Sequence, residues 1–425
     1  MPLADLPAPR DQSIPARRSD LLDALIADDA LASQADKARF RQLADVLALI
    51  THYEFYGQIE QLRAAYRDLD PERPAGAIDP AAYEASYTSL RDPLLTILHE
   101  AGFVEISHAE IARAHDERAE LPVEVRASLD EFREVRFFRR GGHRAKLTVA
   151  DWFGLRKRTI EAEVYDEVVL FVATRLEPSA QTAAGGRPHK RRHRMRPGSV
   201  LLKSFHNIAS ADLNALFPNI RVVMSTFDRL VLTIPAIAGG VPILLNLAST
   251  VTVLFLVAGF YLGLVGAIKD DEMKTALAAL SGLVALGGFI MRQWVSYQRR
   301  ALMYHQQLTD NIYFRNVSNN AGLFDCLIGD AEEQACKEAL LACFFLLSAR
   351  TRLTQDALDR CIEDWLKQRF GADIDFEVAD ALANLERLGL LHRDGDALLI
   401  PSTHDMLARL ERKWTEIFRG HSATA

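Results

Sequence analysis

A chain of 425 residues with 49% hydrophobic and 25% charged content is a folded protein long enough for two or three domains. The net charge of −7 excludes an overall electrostatic pull toward nucleic acid. The four cysteines, Cys326, Cys336, Cys343 and Cys361, lack the spacing of a zinc site or a disulfide framework, and read as free core thiols in a reducing compartment.

The first residues, MPLADLPAPRDQSIPARRSD, contain no apolar run and several prolines, which argues against a secretory signal and predicts a disordered lead-in over 1–35. Beyond it, Phe40, Leu43, Leu47 and Ile50 share one helical face. Ser89 to Ala114 reads as a helix stopped at Gly102, a short strand FVEI, and a second helix capped by Ser107 with Glu110. The period then changes to that of strands at Glu134 to Arg140, Ala145 to Ala150, Thr159 to Val164, Val168 to Thr174 and Val200 to Phe205. Together these elements predict an α+β N-terminal domain over 36–229, with a small, mostly antiparallel sheet.

A Gly- and Pro-rich insertion over 178–198 interrupts that sheet. Its Arg187, Lys190, Arg191, Arg192, Arg194 and Arg196 are candidates for contact with anionic lipid headgroups. His189 and His193 lack a third ligand close in sequence, and no metal or other cofactor is expected.

No formal charge occurs from Val231 to Ile268 or from Thr275 to Met291. A span needs roughly 20 apolar residues. The sequence therefore predicts a membrane region over 230–291. Two spans, about 245–268 and 275–291, form a transmembrane hairpin joined by the acidic turn Lys269–Lys274. Pro235, Pro242 and the Gly239-Gly240 pair break the first part, so 231–244 reads as a re-entrant or interfacial approach. Arg221, Arg229, Arg292, Arg299 and Arg300 flank the pair and place both termini on the cytoplasmic side. Gly259, Gly263, Ala278 and Gly282 supply small residues for close helix packing.

The remainder, 292–425, reads as a mostly helical C-terminal domain. Within it, 354–418 shows helix, helix and a hairpin around an Asp-Gly turn, the order of a winged-helix-like module. Its second helix carries Glu377, Asp380 and Glu386 against Arg387, which phosphate would repel, so protein contact is expected rather than nucleic acid. The NVSNNAG stretch before these helices reads as a capping loop or a contact with the N-terminal domain.

Three stretches carry a family resemblance: KSFHNIASADLNALFPN, the run from Asp228 into the apolar segment, and YFRNVSNNAGLFDCLIGDAEEQACKEALLACFFLL. Together with DPLLTILHEAGFVEI, RFFRRG, CIEDWL and DFEVADALANLERLGLL, they resemble the transmembrane protein 143 family. That resemblance implies an integral membrane protein with flanking domains and no established activity, and it transfers no catalytic residue. The expected function is a non-enzymatic, membrane-anchored scaffold or regulatory protein. Its expected partners are the lipid bilayer and a protein partner or a second copy of the chain. The alternatives are a membrane-associated enzyme acting on lipid, for which only His206 and Asp212 suggest themselves, and an oligomeric pore.

Overall fold

In the computed structural model the described residues are 10–28, 33–73, 79–107, 109–111, 123–127, 132–151, 156–176, 195–217, 220–224, 314–349 and 351–422, with isolated positions between 255 and 302. They fall into two compact units. The first comprises Met1–Ile111, Leu129–Ser210 and Arg315–Ala425, and the second Ala112–Ser128 and Ala211–Phe314.

The first unit starts with α1 (Arg18–Ala27), which buries Leu21, Leu25 and Ile26. The expected disordered lead-in is thus replaced, over 10–27, by an extended segment and a helix, because this apolar face and Ile14 find cover in the core. Ser33 accepts from the Asp36 amide to open α2 (Gln34–Tyr66). Asp79 likewise caps α3 (Pro80–Glu100), which has proline in its first turn. α3 ends at Gly102, in the left-handed region with φ of +75°, where the Phe103 amide closes on the Leu98 carbonyl at 2.9 Å. After β1 (Val104–Glu105), Ser107 and Glu110 form a reciprocal capping box: the Ser107 amide donates to Glu110 Oε2 at 2.7 Å and the Glu110 amide to Ser107 Oγ at 3.2 Å.

In the second unit β2 (Val123–Ala127) pairs antiparallel with a strand at Ile220–Met224. The strands of the first unit's sheet are β3 (Phe132–Arg140), β4 (His143–Asp151), β5 (Arg156–Thr174) and β6 (Val200–Ala209). With the 220–224 strand counted as β7, β8 (Asn316–Asn319) completes that antiparallel sheet in the order β1-β3-β5-β6-β8, with β4 on the first half of β5. The long β5 joins two runs that the polar residues Asp166 and Glu167 separate in the sequence pattern. Pairing Lys203 with Asn319 and Ser204 with Ser318 turns the NVSNNAG stretch into an edge strand. Asn320, at φ of +51°, then turns the chain into the next helix, and its amide donates to the Leu202 carbonyl at 2.8 Å.

That helix, α4 (Gly322–Ser348), is followed by α5 (Gln355–Phe370), α6 (Val378–Arg387), the hairpin β9 (His392–Asp394) and β10 (Ala397–Leu399), and α7 (Thr403–Ser422). One core lies between the sheet and the helices. Phe138, Val169, Phe171 and Leu202 of the sheet meet Leu62 and Tyr66 of α2, Leu90 and Leu94 of α3, and Phe324 and Leu327 of α4. A second core gathers Phe40 and Leu47 of α2, Phe344 of α4, and apolar residues of α1 and α5 to α7. The expected division between a 36–229 domain and a 292–425 domain is therefore corrected. α2 and α4 each run through both cores, and β8 belongs to the N-terminal sheet.

The integral-membrane architecture is also corrected. Among the described residues no helix is long and apolar enough to cross a membrane. The long helices α2 and α4 show the physical reason. Asp325, Asp330, Glu332, Glu333, Lys337 and Glu338 interrupt α4, whose apolar side chains turn into protein cores. For the described residues this finding overturns the multi-pass localisation and the transmembrane hairpin. Apart from isolated positions, residues 231–244, 245–268 and 275–291 lie outside the described residues, as do Gly259, Gly263, Ala278 and Gly282.

Candidate functional site

α4 carries polar side chains where its helical period calls for apolar ones. Leu327, Gln334 and Leu341 follow one another at the seven-residue repeat, and all three are buried. Lys337 and Glu338 are buried beside Gln334. Buried polar groups need partners. Here the partner is the extended segment 10–16, a strap laid along the helix.

The Ile14 amide donates to Gln334 Oε1 at 3.1 Å, and Gln334 Nε2 donates to the Gln12 carbonyl at 3.1 Å. Gln334 therefore serves the strap as a neighbouring strand would. Lys337 Nζ donates to the Ile14 and Ala16 carbonyls at 2.9 and 3.2 Å, and the Arg18 amide to Glu333 Oε1 at 2.8 Å. Asp11 forms a parallel bridge with Ile374, its carbonyl accepting from the Asp375 amide at 2.8 Å. Arg10 reaches Glu363 and Asp375, and Gln12 reaches Glu377. The strap also needs Gly102, because a Cβ there would stand 3.0 Å from Ser13 Cα.

From the sheet, Arg139 donates to Asp11 Oδ1 at 2.8 Å, and Arg140 joins Glu167 and Asp330, the latter at 2.8 Å. Burial raises Asp11 above its ordinary range against the opposing effect of Arg139, and burial lowers Lys337. Arg139 is 4% exposed. Arg139→Met should lower stability by about 1.5–2 kcal/mol, the weight of a charged hydrogen bond beside a partly exposed partner. Denaturant midpoints measure this, and an unchanged midpoint would show that the pair does not hold the strap.

Of the basic residues expected to contact lipid, Arg187, Lys190, Arg191, Arg192 and Arg194 lie outside the described residues. Arg196 turns its guanidinium to the Asp68 carbonyl at the end of α2, while its own carbonyl accepts from Thr174 Oγ1 at 2.8 Å and Ser199 Oγ at 2.6 Å. His206 donates from Nδ1 to the Asp166 carbonyl at 3.2 Å and lies 3.7 Å from Glu167. The winged-helix-like part engages its second helix inside the first unit. α6 buries Val378, Ala381, Leu382 and Leu385, while Asp380 lies 3.5 Å from His99 and Arg387 reaches Glu54. Sequence reasoning missed Gln334, Lys337 and Glu338; the signal available was their place on the apolar stripe of α4.

Among the described residues no group of three His, Cys, Asp or Glu side chains could hold a metal ion. Residues 165–322 match the family described as a protein of unknown function, DUF3754. The matched stretch runs from within β5 through β6 and β8 to the first residue of α4, a little over a third of the chain, and its description names no activity. No solved structure matches the chain.

Proposed function

We propose that the protein is a non-enzymatic interaction scaffold, whose first unit holds both ends of the 211–314 stretch for contact with a protein partner. The observation that carries this reading is the pairing of β6 with β8. The chain leaves the first unit after Ser210 and re-enters at Arg315, on two neighbouring antiparallel strands. The helices α2 and α4 pass through both cores and make that unit a firm base. Within the stretch, Phe255, Leu262 and Leu302 are 75%, 74% and 68% exposed, and these are the side chains a partner would cover. The matched family stretch, 165–322, takes in the excursion together with β6 and β8 on either side of it.

A photo-crosslinking amino acid placed at Leu262 or Leu302 tests the reading, alongside a chain in which a short Gly-Ser turn replaces 211–314 and joins β6 to β8. The expected outcome is a protein adduct from 262 and 302 and none from a control position at Glu60. The shortened chain should keep its helical circular dichroism and fail to capture the same partner. Equal adducts from all three positions, or capture by the shortened chain, would overturn the scaffold reading.

A further inference from the structure

The glutamine that holds the strap, Gln334, also bonds a buried carboxyl group that lacks a dedicated counter-charge. Glu338, 8% exposed, accepts one hydrogen bond, from Gln334 Nε2 at 2.7 Å. The charged groups around it come from three elements. α4 supplies Lys337, itself flanked by Asp330, Glu333 and, from β3, Arg140; α3 supplies His99, with Glu100 beside it; and α6 supplies Glu377 and Asp380 at its head, with Arg387 acting on Glu100. Of the basic groups, Arg140 is paired with Glu167 and Asp330, and Arg387 with Glu54. The ammonium of Lys337 is taken up by the strap carbonyls, and His99 sits against Asp380.

We propose that residues 10–16 form a pH-operated strap, closed along α4 while Glu338 carries its proton and released as that proton is lost. Three observations join the two events. Gln334 Nε2 bonds both Glu338 and the Gln12 carbonyl while Oε1 holds the Ile14 amide, so rearranging Gln334 around a hydrated carboxylate removes two strap bonds at once. An ionised carboxylate beside Glu377 and Asp380 demands water. The strap is the cover with the least apolar anchoring, since within 10–16 only Ile14 is fully buried, whereas α1 buries Leu21, Leu25 and Ile26.

Burial, reinforced by Asp380 and Glu377 and opposed by Gln334 and His99, pushes the carboxyl from its ordinary 4.5 up to about 8. An acid raised in the closed state binds more protons there than in the open state. Closure is therefore strongest below pH 4.5, weakens by up to about tenfold per pH unit toward 8, and changes no further above it. His99, raised by Asp380, adds a smaller loss in the same direction; Lys337, lowered by burial, acts in the opposite direction at more alkaline pH.

Hydrogen exchange on the full chain tests the proposal at the Ile14 and Asp375 amides, whose acceptors are Gln334 Oε1 and the Asp11 carbonyl. Rates corrected for intrinsic exchange are compared between pH 5.5 and 8 with that of the Phe171 amide in β5. The wild type should lose at least about tenfold of its strap protection relative to Phe171, and Glu338→Gln less than about threefold. Glu338→Met, similar in size and unable to ionise, provides the same comparison if the amide variant fails to fold. Equal losses in wild type and variant, or strap protection independent of pH, would overturn the proposal.

Discussion

Truncating Phe344 to alanine should lower the stability of the first unit by about 3–5 kcal/mol, and truncating Phe324 should do the same through the same transition. Both rings are fully buried. Phe344 meets Phe40 edge-on at 6.0 Å in the helical core, and Phe324 meets Tyr66 at 5.3 Å in the core under the sheet. They lie on one helix, about 30 Å apart at 1.5 Å per residue. If the cores were independent, each truncation would weaken only its own. Because α2 and α4 furnish side chains to both, the loss should spread. Hydrogen exchange decides the matter: Phe344→Ala should lower protection at Phe171 in the sheet as well as at Ile362 in α5. Protection at Phe171 that stays at its wild-type value would mean that the shared helices do not couple the cores.

That coupling was not legible in the sequence, whereas much of the local structure was. The Gly102 stop, the Ser107 and Glu110 capping box, and the apolar face of Phe40, Leu43, Leu47 and Ile50 follow from short-range chemistry, and all form. The strand runs of β3, β4, β5 and β6 were equally visible, although Asp166 and Glu167 split β5 in two. What escaped depends on partners distant in sequence. The NVSNNAG stretch has no strand pattern of its own and becomes one by pairing with β6. Residues 10–16 look like a lead-in until Gln334 and Lys337, more than three hundred residues later, supply their hydrogen bonds. Gln334 and Glu338 read as solvent-facing by residue type, and only the place of Gln334 in the seven-residue repeat with buried Leu327 and Leu341, with Glu338 one turn further along that face, hints otherwise. The membrane reading rested on the length of two uncharged runs, the arginines that flank them, their small residues and a family resemblance, whereas among the described residues no helix is long and apolar enough to cross a membrane.

Replacing Glu134 with glutamine should cost about 2–3 kcal/mol at pH 7 and almost nothing at pH 2. Glu134 lies on β3, where α3 crosses the sheet. It accepts from Arg91 Nε at 3.0 Å and Arg91 Nη2 at 3.1 Å, and from Arg136 and the Tyr87 hydroxyl. The Arg133 guanidinium stands 3.9 Å over the Tyr87 ring and closes the cluster. Burial alone would raise this carboxyl, but the Arg91 and Tyr87 hydrogen bonds and the charges of Arg136 and Arg91 outweigh it and hold the group at about 2, against an ordinary 4.5. The sign follows from proton binding. A folded state that resists protonation contributes stability above pH 4.5 and loses it as the pH falls toward 2. The full displacement corresponds to about 3 kcal/mol at 1.36 kcal/mol per unit, and residual contact with water reduces it. Urea midpoints for wild type and Glu134→Gln should therefore differ at pH 7 and converge along the acid limb. Curves that stay parallel from pH 7 to pH 2 would mean that the arginines hold Glu134 by shape rather than by charge, and the contact between α3 and β3 would then have to rest on Tyr87, Leu90 and Leu94 packing against the sheet.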